Sequence, residues 1–110
     1  MVMQWLSKWI KSRERTPTAT FVLEQRSPTG AIQRLYRLSV PMKNSEDESF
    51  DYVVVSGVYA LFSGPVTYIF GADAEGNVLR WGELEGSFRG DIDHARALRG
   101  AGYTVIDKED

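Results

Sequence analysis

The chain has no cysteine and a single histidine, His94. The first absence excludes disulfides, thiolate zinc sites and cysteine nucleophiles together, and it fits a cytoplasmic setting. The second leaves any catalytic dyad or metal centre one imidazole to work with. Phosphate-binding loops are missing too, since neither G-x-x-x-x-G-K-[ST] nor G-x-G-x-x-G occurs. Ser87 is the one serine close to His94 along the chain, and no G-x-S-x-G elbow surrounds it. The start, MVMQWLSKWIKSRER, does not read as a signal peptide, because Lys8 and Lys11 interrupt the apolar run that such a leader needs.

What is present suits one globular domain. At 110 residues with 43% apolar and 12% aromatic side chains, the chain can bury a core without staples. Charge is divided unevenly. Residues 1–41 carry seven Lys/Arg against two Asp/Glu, and residues 42–110 carry six against thirteen. Nucleic-acid binding needs concentrated positive charge to release phosphate counterions, so no nucleic-acid partner is expected. The opposed halves suit attraction within one chain or between two copies.

Periodicity predicts an amphipathic helix within residues 1–15, with Trp5, Leu6, Trp9 and Ile10 on one stripe and Lys8 and Lys11 opposite. Strands follow at 18–26 and 31–40, joined by Ser27-Pro28-Thr29-Gly30, whose proline and glycine fit a tight turn. The acidic stretch 41–49 reads as a mobile connector. From Tyr52 to Ala72 there are 21 residues without a charge, long enough on paper to cross a bilayer. Gly57, Ser63-Gly64-Pro65 and the wealth of Val, Tyr, Ile and Phe instead indicate two central strands at 50–62 and 66–72, with Gly57 marking a bulge or bend. A hairpin loop at 73–77 leads to a strand at 78–81. Asp91 is placed as the N-cap of a short helix over 92–99 that Gly100 stops, and 103–107 closes the sheet. The expected fold is α+β: a single domain, 1–110, with an antiparallel sheet of five or six strands, an N-terminal amphipathic helix and a short helix before the last strand.

The stretch Asp91-Ile92-Asp93-His94 is the sharpest candidate for chemistry. A metal reading would draw on Glu83 or Glu85 for further oxygen ligands, whereas capping and complementing the helix dipole explain both aspartates with less. Capping is the better account, and neither a metal nor a cofactor is expected. Arg89-Gly90-Asp91 matches an adhesion tripeptide with nothing around it to support that use.

The segment WGELEGSFRGDIDHARALRGAGY (81–103), about a fifth of the chain, is similar to a class of small uncharacterised bacterial proteins, some of them carried on mobile elements. The shared spacing is W-G-E-L-x-G-S-x-x-G-x-x-D-H-x-x-A-L-x-x-A-G-Y. The resemblance implies no activity. It implies that Trp81, Gly86, Asp93, His94 and Tyr103 form one unit, either a ligand-binding corner or a structural clasp.

The leading expectation is a non-enzymatic binding or interaction protein that self-associates as a homodimer or meets another protein, with Trp5, Leu6, Trp9 and Ile10 at the interface. A second reading is a site for a small anionic ligand, with or without catalysis, lined by Trp81, Glu83, Arg89, His94 and Tyr103. A third is peripheral membrane association through residues 1–15.

Overall fold

The computed structural model describes residues 16–107. The helix expected within residues 1–15, and with it the Trp5, Leu6, Trp9, Ile10 interface, lies outside the described residues. Seven strands run in the order β1 (Thr18–Arg26), β2 (Ile32–Lys43), β3 (Ser49–Ala60), β4 (Gly64–Ala72), β5 (Val78–Arg80), β6 (Phe88–Arg89) and β7 (Thr104–Ile106). One helix, α1 (His94–Gly100), stands before β7.

The α+β expectation is therefore corrected. Strands account for 54% of the structure and helix for 8%. The sheet has seven strands in place of five or six, and β7 pairs parallel to β1, so the sheet is not wholly antiparallel. The spatial order is β5-β4-β3-β2-β1-β7, with β6 also on β4. β5 pairs with Gly71 and Ala72, and β6 with Val66 and Thr67, while β3 takes the other side of β4 along its whole length. β5 and β6 are thus two pieces of one interrupted edge. Between them Leu84 donates its N–H to the Ile69 carbonyl at 2.9 Å.

Local chemistry accounts for the hairpins. Gly30 takes φ +91° in the Ser27–Gly30 turn, whose ends are closed by the Ser27 N–H on the Ala31 carbonyl. The connector expected over 41–49 is shorter, at 44–48. β2 runs on to Lys43 and β3 begins at Ser49. The Asn44 side-chain oxygen accepts from the Glu46 and Glu48 N–H groups, which folds 44–48 into a hydrogen-bonded turn. The uncharged stretch 52–72 is the strand–turn–strand of β3 and β4. No helix of the described residues is long and apolar enough to cross a membrane.

α1 crosses one face of the sheet, because the chain must pass from the β6 edge to β7 at the far edge. Tyr36, Val53, Val55, Ile69, Leu84, Leu98 and Tyr103 form the core beneath it. The opposite face buries Leu35, Val54 and Ala72, with Leu23, Tyr52 and Val78 packed against them. Sheet curl covers this second face. The Gln25 side-chain amide at the end of β1 donates to the carbonyl of Gly76, in the β4–β5 loop, at 3.0 Å. On a flat sheet β1 and β5 would lie four strand spacings apart, about 19 Å. These are diagonally opposite corners, and the coiling of a twisted sheet folds them together over the apolar residues between.

Candidate functional site

Asp93, not Asp91, caps α1: its side chain accepts from the Arg96 N–H at 3.0 Å. Asp91 instead takes the N–H of Ile92 at 2.8 Å. The helix consequently starts two residues later than the sequence suggests. It also ends later. Gly102, at φ +97°, takes the left-handed position, with its N–H on the Arg99 carbonyl and the Tyr103 N–H on the Leu98 carbonyl, both at 3.0 Å. Those two bonds are the Schellman termination, with Tyr103 and Leu98 supplying its apolar contact.

The approach to the helix is held by a residue that sequence reasoning missed. Thr67 on β4 is fully buried, and its hydroxyl donates to the Asp91 carbonyl at 2.9 Å and accepts from the Asp93 N–H at 3.0 Å. A threonine in an apolar strand carries no local signal of such a role. Gly57 likewise differs from expectation. It sits in regular register between Ile32 and Thr67, without a bulge. Its missing side chain makes room for Ile92, because a Cβ there would collide with the Ile92 Cγ2 methyl.

The five residues grouped as a ligand site disperse. His94 Nε2 hydrogen-bonds the Ile32 carbonyl at 3.0 Å. The Tyr103 hydroxyl donates to the Val40 carbonyl at 2.7 Å, and burial pushes its pKa above the ordinary 10.0. Ile32 and Val40 lie eight residues apart on β2, about 25 Å at strand rise, so His94 and Tyr103 do not face one cavity. Glu83 and Arg89 do meet, at 3.6 Å across the exposed β6 edge. Trp81 lies on the face away from α1, edge-on to Phe70 with ring centroids 5.1 Å apart. Ser87 is engaged elsewhere, accepting from the Ile69 N–H and donating to the Leu84 carbonyl, each at 2.8 Å. That leaves His94 and Ser87 without the shared hydrogen bond that an activated nucleophile requires. Among the described residues, no three His, Asp or Glu side chains gather as a metal centre.

Exposure points to a different surface. The β3–β4 hairpin ends in Tyr59, Leu61 and Phe62, which are 79%, 88% and 96% exposed. Beside it, on the Trp81 face, an open groove of about 370 Å³ is lined by Pro28, Thr29, Val58, Tyr68, Phe70 and Trp81. Tyr68, Phe70 and Trp81 step along it as an aromatic ladder, with the first pair 5.6 Å apart. On the α1 side a second hollow of about 410 Å³ runs past Thr29, Gly57, Tyr59 and Ile92. The hairpin end therefore projects between two hollows at one end of the sheet. The uncharged run 52–72 was the available sequence signal, but it reads equally well as core. Compared with protein families, curated proteins and solved structures, the chain matches none.

Proposed function

We propose that this chain is a small non-enzymatic interaction protein that self-associates. The observation that carries this reading is the hairpin end, where three large apolar side chains stand almost fully in water. Single exposed apolar residues are ordinary on protein surfaces. Three at one projecting hairpin end, two of them on its turn and next to an aromatic groove, mark a contact surface. The dispersal of Trp81, Glu83, Arg89, His94 and Tyr103 argues in the same direction, since a small-ligand site needs a few polar groups converging in one concave place. The uneven division of charge between residues 1–41 and 42–110 adds attraction between copies.

The test is light scattering on the full chain across a concentration series. A mass that rises to that of a dimer or larger supports the proposal. A mass that stays at one chain throughout sinks self-association.

A further inference from the structure

We infer that the self-association proposed above is a reciprocal exchange between two copies, in which Leu61 and Phe62 of each seat in the Tyr68–Phe70–Trp81 groove of the other.

Volume, position and area favour a second copy as the occupant. An apolar cavity of about 150 Å³ holds a benzene ring. A groove of about 370 Å³ therefore has room for the Phe62 ring and the Leu61 side chain together. Position permits reciprocity. The groove reaches Val58, three residues before Leu61, so tip and groove adjoin at the same end of the sheet. A two-fold axis passing beside Val58 carries each tip over the other copy's groove. The contact is isologous and closes at two chains. The unpaired alternative, tip into groove in one direction only, would leave one tip and one groove exposed and continue as a filament.

Area is sufficient. Side chains of this size bury on the order of 150–250 Å² each. Two tips of two such side chains, with the matching groove floors, come to the ~1,000 Å² that a specific interface needs. A lipid surface is the competing occupant, and it accounts for less. It would cover the tips but leave the aromatic grooves in water. The hairpin from Tyr52 to Ala72 also contains no Lys or Arg to attract an anionic headgroup.

Because the chain has no cysteine, an introduced thiol is the only one present. Full-length Ser63→Cys chains, altered beside Phe62 at the exposed tip, are mixed with Thr29→Cys chains, altered at the groove rim, and treated with a short bismaleimide. The expected product is a cross-linked pair joining 63 to 29, lost when Phe62→Asp is added to the first chain. Phe62→Ala weakens dimerisation by about tenfold or more, as truncating a central anchor does, while far-UV circular dichroism stays unchanged. A dimer that survives Phe62→Asp and gives no 63–29 product overturns the reciprocal seating and leaves self-association standing. A chain that is monomeric at every concentration overturns both. A monomer that floats with phosphatidylcholine–phosphatidylserine vesicles, and loses that with Phe62→Asp, assigns the tip to lipid and overturns the exchange.

Discussion

His94 and Tyr103 bracket α1 and reach the same strand. One hydrogen-bonds the Ile32 carbonyl near the start of β2, and the other the Val40 carbonyl near its end. A helix of seven residues has no stability of its own. Its place on the sheet has to come from ties of this kind and from burial of Ala97 and Leu98. The Val40 carbonyl is free to accept because the β2–β3 register breaks between Arg37 and Met42, and β1 pairing stops at Leu38. The imidazole and the phenol that look like ligand-binding groups are the two ends of a clasp.

That clasp predicts an alkaline limit to stability. Burial raises the pKa of Tyr103, and burial is also the main cause at Tyr36, where Arg34 pulls the other way. A raised folded-state value means that the neutral phenol is favoured in the fold. The contribution is complete below the unfolded value of 10.0 and is lost as pH climbs through the raised folded value. Urea unfolding from pH 8 upward should show stability level at first and then falling above about pH 10. Tyr103→Phe should lose about 0.5–1.5 kcal/mol at neutral pH and show a shallower alkaline decline. An unchanged slope in this variant would remove Tyr103 from the account.

Thr67 should matter more than its place in an apolar strand suggests. Thr67→Val keeps the shape but leaves the Asp93 N–H and the Asp91 carbonyl without their buried partner. The expected loss is about 1–3 kcal/mol in denaturant unfolding, with Thr67→Ser recovering most of it. A loss for serine with little or none for valine would point to packing and not to the hydroxyl.

These residues show what was legible in the chain and why the rest was not. The β1–β2 turn was readable, because proline and glycine at fixed positions encode it within four residues. The start of α1 was misplaced because Asp91 and Asp93 are chemically identical caps, and Thr67, 24 residues before Asp91, decides between them. β6, two residues long, exists because the edge of β4 offers it partners and not through any propensity of Phe88 and Arg89. The parallel pairing of β7 with β1 and the curl that joins Gln25 to Gly76 are equally non-local. Tyr59, Leu61 and Phe62 have core-like composition; the ending of the β3–β4 ladder at the Ala60–Gly64 pair puts Leu61 and Phe62 in water, while Tyr59 is exposed within the ladder, opposite Pro65.

A fourth tie, on the surface, holds the short strand β5. Arg80 donates from Nε and Nη2 to the two Glu48 carboxylate oxygens at 3.0 and 2.9 Å. This two-point grip, with Asn44 assisting, lowers the Glu48 pKa below its ordinary 4.5. A lowered value means the contribution is present above pH 4.5 and is lost as pH falls through the folded value. Because the pair is exposed, its effect is expected to be local. Glu48→Gln at neutral pH should speed hydrogen exchange at 78–80 without moving the global unfolding midpoint. A shifted midpoint would make the pair a determinant of the whole fold.

The contact between Gly57 and Ile92 can be separated from a general intolerance of change by a double-mutant cycle. Gly57→Ala alone drives a methyl into Ile92 and should cost about 1–3 kcal/mol, as overpacking does. Ile92→Ala alone removes the obstructing group from a half-buried position and should cost less than a full core truncation. Together the two changes should cost less than their sum, because each relieves the other. Gly86→Ala provides the contrast. Its φ of +104° disfavours any side chain, and the obstacle there is the Ala97 backbone carbonyl on α1, which no side-chain truncation removes. Pairing Gly86→Ala with Ile92→Ala should therefore give simple additivity in urea unfolding. Additivity in the Gly57 cycle as well would mean that Ile92 is not what glycine at 57 accommodates.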